Sequence, residues 1–252
     1  MLVSSVVPLS AKPIPACLSC HTSHFEQNGS CAFCHQGNAG SIRKNIAHSG
    51  MIPGRYAWYA LDGSQQVVRG NRLIERYACR RCHTFRGAGN SQAANLDRVY
   101  TQSIPGKVYT AVRYPAAQMP DFHFAENELT DLVNAILDAG RRTPAQTVQE
   151  TPRVVHFTTP GAKSELLFEK KCGGCHRFLS VRSGGVGKGD TAPNLSGLFT
   201  EFYPKTFKNG EHWTEARLEQ WLKNPRSIRD AARMRPVPLD TEEYRKIVYE
   251  LK

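Results

Sequence analysis

Two stretches of the chain place apolar residues at the spacing of an α-helix. One runs from Glu126 to Ala139, and the other closes the chain from Thr241 to Leu251. Shorter helices are expected over Arg72 to Tyr77 and Ser164 to Lys171. The pattern therefore predicts a mainly α fold with much irregular loop. In the first stretch one face carries residues that we assign to core packing: Leu129, Leu132, Val133, Ile136 and Leu137.

The segment between these helical regions lacks such a period. It contains three Thr-Pro pairs, and proline interrupts regular elements. We interpret residues 141–160 as a linker that separates a domain at 68–140 from a domain at 161–252. No run of 18 apolar residues occurs in the chain, so no transmembrane span is expected.

The N-terminus carries a short, mostly apolar stretch of its own. It runs from Leu2 to Leu9 and ends near Ser10 and Ala11, with no Lys or Arg before it. We interpret residues 1–11 as the remnant of a signal peptide, and an ordinary extended N-terminus is the alternative.

All eight cysteines occur in one five-residue pattern, C-x-x-C-H, which is present four times. This is the attachment motif of c-type haem, in which two thiols bind the porphyrin vinyl groups and the adjacent histidine ligates iron. We therefore expect four covalently bound haem c groups. The attachment residues are Cys17, Cys20, Cys31, Cys34, Cys79, Cys82, Cys172 and Cys175, and the proximal ligands are His21, His35, His83 and His176.

Two other chemistries use paired cysteines. The first four cysteines could form a zinc site, and each pair could form a disulfide. The zinc interpretation leaves the histidine of each motif unexplained and does not suit the widely separated later pairs. Haem attachment explains all four motifs.

Composition favours small haem domains over one large core. Only 40% of the residues are hydrophobic, and the chain has 20 glycines and 15 prolines. A porphyrin is a large apolar body around which a short chain can fold, so we expect a haem-centred core.

The formal net charge is +11. Haem propionates and ferric iron would change it to about +7 in the oxidised protein and about +3 in the reduced protein. We expect docking to an acidic redox partner, and the haem motifs argue against nucleic acid as the partner. Haem attachment takes place outside the cytoplasm, so the expected location is the periplasm or the outer face of the cytoplasmic membrane.

The two later motifs share an order of features. Each follows a helix and precedes an Asn-Leu pair, a methionine and a closing helix. This order resembles class I cytochrome c over residues 68–252. The resemblance implies two helical domains whose first and last helices cross. It also implies that Met119 and Met234 are the distal iron ligands.

The last domain carries the closer resemblance. The segment 192–197, Ala-Pro-Asn-Leu-Ser-Gly, is similar to the family loop whose proline carbonyl orients the proximal imidazole. Trp221 matches a tryptophan that packs near a haem propionate. In the middle domain Ala94 replaces the loop proline, and His123 competes with Met119 as the ligand.

The first two motifs lie 14 residues apart, too close for each to have its own domain. We interpret residues 12–62 as a dihaem module with little regular structure, similar to small multihaem cytochromes of the c3 and c7 kind. His24 cannot reach the far face of the haem held by His21, but it could cap the second haem, and His48 could cap the first. The reverse assignment stays open, and Met51 is the main rival ligand.

These ligands predict two low-potential bis-histidine haems followed by two histidine–methionine haems of higher potential. The leading hypothesis is an electron-transfer cytochrome, alone or as a subunit of a membrane-bound respiratory complex, rather than an enzyme. One alternative is a haem enzyme, a peroxidase or a sulfur or nitrogen oxidoreductase, in which Arg80, Arg81 and Arg86 line an open site. Another is a filament in which His156 or His212 caps a haem of the next subunit.

Overall fold

The structure is a computed structural model, and it describes residues 16–116, 118–143 and 166–252. The chain divides into two compact units, residues 1–62 and 63–252. The expected dihaem module falls in the first unit, and both expected monohaem domains fall in the second. The prediction of a mainly α fold with much loop is confirmed.

The first unit consists of short helical turns joined by loops. Its two described α-helices, α1 (Cys31–His35) and α2 (Lys44–Ala47), are only five and four residues long. Every fully buried side chain described in this unit lies between Ile52 and Ala60. The segment that holds both haem motifs therefore packs no apolar core of its own. Its elements are α1 (Cys31–His35), α2 (Lys44–Ala47) and the 3-10 helices Ala16–Ser19, Glu26–Asn28 and Gly54–Ala60.

The second unit begins with a helical half around the third motif. Its helices are α3 (Gln65–Arg76), α4 (Val99–Gln102), α5 (Pro105–Arg113) and α6 (Glu126–Arg142). The helix before the motif starts at Gln65, not at Arg72, because Ser64 is its N-cap and residues 65–71 also belong to the helix. The closing helix extends to Arg142, so the expected linker begins inside it. The remainder of that linker from residue 144 onward lies outside the described residues.

The other half of this unit surrounds the fourth motif. Helix α7 ends before the motif, and the expected start of this helix at Ser164 lies outside the described residues. A two-stranded antiparallel hairpin follows it, with Phe178 opposite Val186. The elements are α7 (Leu167–Lys171), β1 (Phe178–Ser180), β2 (Gly184–Val186), α8 (Glu215–Lys223), α9 (Pro225–Ile228) and α10 (Thr241–Leu251).

In each half, the helix before the haem motif packs against the closing helix. The buried carboxylate of Glu250 in α10 accepts hydrogen bonds from the backbone N–H groups of Leu167 and Phe168, at 2.9 and 2.8 Å. These are donors that the first turn of a helix leaves free, so α10 caps α7. None of the described helices combines the length and the hydropathy that crossing a bilayer requires.

The crossing of α3 and α6 depends on a glycine. A Cβ atom on Gly70 would overlap the carbonyl oxygen of Asp131 and lie 2.7 Å from the Cβ of Ala135. The Asp131 carboxylate in turn accepts two hydrogen bonds from Arg69, at 2.6 and 2.9 Å. The two backbones therefore approach at a point where only hydrogen fits.

We predict that Gly70→Ala destabilises the protein by about 3 kcal/mol, because the added methyl group forces the two helices apart. Denaturant unfolding of the holoprotein measures the change. Gly106→Ala is the matched control, since Gly106 also lies in a helix and a Cβ there meets nothing within 4 Å. Equal stability of the two variants would contradict the close crossing.

Candidate haem sites

The second motif lies on a cavity in the first unit. The cavity has a volume of about 590 Å³, within the range of small-molecule and cofactor sites. Cys31, Cys34 and His35 line it from one side, and His24 lines it too. Its other lining residues include Phe25, Trp58 and Leu61, which make much of the wall apolar. Both attachment cysteines and a histidine pair therefore meet at one apolar cavity.

The four histidines of this unit form two pairs. The ring centroids of His24 and His35 are 5.8 Å apart, and those of His21 and His48 are 6.0 Å apart. Two imidazoles on opposite faces of one metal ion have centroids about 6 Å apart, because each metal–nitrogen bond is about 2 Å. The structure thus brings each proximal histidine next to the distal histidine of the crossed arrangement. Met51 has an exposed side chain.

A backbone carbonyl faces the Nδ1 atom of three proximal histidines. His35 Nδ1 lies 3.0 Å from the oxygen of Ile52, and His83 Nδ1 lies 2.7 Å from that of Ala94. His176 Nδ1 lies 2.8 Å from the oxygen of Pro193. Metal-binding histidines commonly donate their second N–H in this way, which fixes the ring and directs Nε2 to the metal. Ala94 thus supplies the same carbonyl as Pro193, although it lacks the proline ring.

None of the eight cysteines is in a disulfide. Burial raises the pKa of the Cys79 thiol to about 12 and that of Cys172 to about 11. Among the residues that the structure describes, no three His, Cys, Asp or Glu side chains converge as a metal cluster. The structure therefore does not bring the first four cysteines together as a zinc site.

Met119 lies in the loop between α5 and α6, and its side chain is half-buried. Its competitor His123 has an exposed side chain, and its Nδ1 lies 3.2 Å from the Asp121 carboxylate. The ring of His123 therefore faces solvent and an acidic neighbour. Burial lowers the pKa of His83 and so favours the neutral imidazole, which is the form of histidine that binds metal ions.

Met234 lies in the loop before α10 and packs against the core of its half. The indole Nε1 of Trp221 donates to the sulfur of Met234 at 3.0 Å. The resemblance to class I cytochrome c implied a propionate neighbour for this tryptophan. In the structure the N–H of Trp221 points at the methionine, because α8 and the methionine loop pack side by side, and the propionate neighbour stays a prediction.

The three arginines near the third motif are engaged within the protein. Arg80 pairs with Glu75, and Arg81 donates to the backbone oxygen of Asn194. Arg86 pairs with Asp138 at 2.6 Å. Each of the three arginines therefore has a partner within the protein, and Arg80 also lines a small cavity of about 270 Å³.

The filament alternative depended on two histidines. His156 lies outside the described residues. His212 is half-buried in a loop, and its backbone oxygen accepts a hydrogen bond from Arg217 at 2.7 Å.

The two halves of the second unit meet at their haem motifs. Asn90 donates to Thr200 at 3.0 Å, and Asn194 donates to the backbone oxygen of Gln118, also at 3.0 Å. A Cβ on Gly197 would lie 2.7 Å from the oxygen of Arg81. The expected separate domains therefore pack together as one unit, with the third and fourth motifs near their contact.

Comparison with known proteins found no matching family model, curated protein or solved structure.

The sequence alone did not identify Asn194 and Gln118, which join the loop that orients His176 to the loop of Met119. From the sequence, Asn194 is only a member of the Asn-Leu pair and of the 192–197 segment, and Gln118 has no role. A signal for both was present, since each is a neutral polar residue next to an expected ligand or ligand-orienting residue. The two residues are hydrogen-bonded to each other, however, and they lie 76 residues apart in the chain.

Proposed function

We propose that the chain is a tetrahaem c-type cytochrome that transfers electrons between redox partners outside the cytoplasm. The observation that carries the proposal is the meeting of Cys31, Cys34, His35 and His24 at one apolar cavity of about 590 Å³. Two cysteines and the adjacent histidine hold a c-type haem, His24 would supply a distal ligand, and the sequence repeats the attachment motif three more times.

The surrounding protein fits such a group. The described segment before Ile52 packs no apolar core, and an apolar porphyrin would supply one. A bis-histidine haem site needs two ligands from the protein. Two histidine pairs are present, each with ring centroids about 6 Å apart. Cysteines would hold the haem edge, while carbonyl contacts at Nδ1 keep the proximal rings in place.

When bound, haem iron alternates between its ferric and ferrous states, and this supplies the electron-transfer chemistry. The residues of this chain set the order of potentials. His24 and His48 as distal ligands favour low potentials, whereas thioether ligation by Met119 and Met234 favours high ones. Electrons would therefore enter at the first unit and leave from the second, whose halves we propose to be class I cytochrome c-like domains.

The proposed partners are acidic redox proteins, including a membrane-bound respiratory complex. The basic charge of the chain favours them through long-range attraction, which predicts faster docking at low salt.

Haem content is the first prediction of the proposed function. The chain, exported from a host that attaches haem c, should carry four covalent haems by mass spectrometry, and electron paramagnetic resonance of the oxidised protein should show four low-spin centres. Absence of covalent haem would overturn the proposal. A persistent high-spin haem would instead favour the enzyme alternative, and substrates should then be sought.

The crossed histidine pairs give a second prediction. His24→Ala and His48→Ala should each convert one haem to the high-spin state, because each removes one distal imidazole. Met51→Ala is the control and should leave both haems low-spin.

The pairing itself can be tested by deleting the second haem with Cys31→Ala and Cys34→Ala. In that background, His48→Ala should still create a high-spin centre, and His24→Ala should not. The opposite result would establish the reverse assignment.

The Trp221 hydrogen bond gives a third prediction. Trp221→Phe removes a donor that withdraws electron density from the sulfur of Met234, so the thioether should stabilise ferric iron better. The potential of the fourth haem should fall by about 40 mV, which corresponds to about 1 kcal/mol for one electron. Spectroelectrochemical titration measures this change.

Trp213→Phe is the matched control. Its indole packs edge-on against Trp221 but donates to Thr206 at 2.9 Å. An equal shift in both variants would show that packing of the aromatic cluster, and not the hydrogen bond to sulfur, sets the potential.

A further inference from the structure

We propose that Asn194 is a positioning residue that couples the ligand loops of the third and fourth haems. The inference rests on the proposed function. It assigns to one side chain a link between the distal side of one haem site and the proximal side of the next.

Asn194 directly follows the residue whose carbonyl faces His176, one of the expected proximal ligands. The preceding residue, Pro193, provides the carbonyl that lies 2.8 Å from His176 Nδ1. The backbone oxygen of Asn194 itself accepts hydrogen bonds from Tyr203 at 3.2 Å and from Arg81 at 3.3 Å. Arg81 is one of the two residues between the cysteines of the third motif. The loop is therefore held from both halves of the second unit.

The side chain of Asn194 reaches in the other direction. Its Nδ2 donates to the backbone oxygen of Gln118 at 3.0 Å, and Gln118 immediately precedes Met119. The Gln118 amide in turn lies 3.4 Å from the backbone oxygen of Gly187, which belongs to the half that holds the fourth motif. The loop with the distal methionine is thus anchored on the opposite half of the unit.

The remaining oxygen of the Asn194 amide is also engaged. Oδ1 accepts from the backbone N–H of Ser196 at 2.9 Å and from its hydroxyl at 2.6 Å. The side chain is nearly inaccessible to solvent, so both ends of the amide are fixed by protein groups. A buried amide with both ends satisfied is rigid, and a change at one end is transmitted to the other.

The chemical consequence follows from these contacts. Movement of the Met119 loop pulls on the residue next to Pro193, and movement of Pro193 shifts the carbonyl that orients His176. The ligation of the third haem therefore responds to a substitution in the domain of the fourth.

Asn194→Asp tests this coupling. The carboxylate keeps the acceptor for Ser196 but replaces the donor to Gln118 by an oxygen that repels its carbonyl. We expect a displaced or broadened Met119 methyl signal in the proton spectrum of the reduced protein, where the porphyrin ring current isolates axial methionines. The midpoint potential of the third haem should shift with it. Signals and potentials are assigned with Met119→Ala and Met234→Ala.

Thr200→Val is the matched control, because it removes the acceptor of another hydrogen bond across the same contact. It should leave the Met119 signal and the potential of the third haem unchanged. If Asn194→Asp yields no holoprotein, Asn194→Ser asks the same question, since it also lacks the reach to Gln118 and buries no charge.

An unchanged Met119 signal and potential in the Asn194 variants would overturn the coupling. Equal changes in Thr200→Val would overturn it too, because they would reduce Asn194 to a general interface residue. A parent protein with no haem on Cys79 and Cys82 would overturn the proposed function and this inference with it.

Discussion

The interaction on which the candidate sites depend is the approach of a backbone carbonyl to the Nδ1 of a proximal histidine. It occurs at His35, His83 and His176, in two units with different architectures. An imidazole held at Nδ1 has one nitrogen left, so its tautomer and direction are determined before any metal binds. Each carbonyl belongs to a loop well separated from the motif in sequence. The fold must therefore bring that loop behind the motif.

The two units meet this requirement in different ways. In the second unit, packed helices hold the loops: α6 supports the half around the third motif, and α10 caps α7 through Glu250. In the first unit, the carbonyl comes from Ile52, the first residue of the small buried segment. Short helical turns with so few buried side chains gain little from packing. A covalently held apolar cofactor would contribute most to the stability of that unit.

Much of this organisation could be predicted from the sequence. The C-x-x-C-H motifs predict haem attachment residues by local spacing alone, and helical periodicity predicts the helices that the structure shows as α6 and α10. His24 is expected to cap the neighbouring haem because a residue three positions after a proximal ligand cannot reach the opposite face of the same haem. His48 is then expected to cap the first haem. The structure places these histidines next to His35 and His21. Contacts such as Trp221 with Met234 could not be predicted, since they depend on how two loops pack in space.

Local sequence patterns also could not predict that the regions around the third and fourth motifs pack against each other. This packing differs from the expected row of independent domains. Repeated features and a proline-rich segment suggested separate bodies. The contact includes hydrogen bonds from small polar residues: Asn90 donates to the Thr200 hydroxyl, and Asn194 donates to the backbone oxygen of Gln118. Such residues do not form a periodic pattern of apolar positions, so the sequence does not reveal the interface. Directed hydrogen bonds in a partly buried contact favour one relative orientation over others. The proposed haem sites on either side of this contact would keep a constant separation, and a short, fixed separation would favour electron exchange between them. A fixed separation would be a physical reason for the proposed relay to join its third and fourth haem sites in one unit.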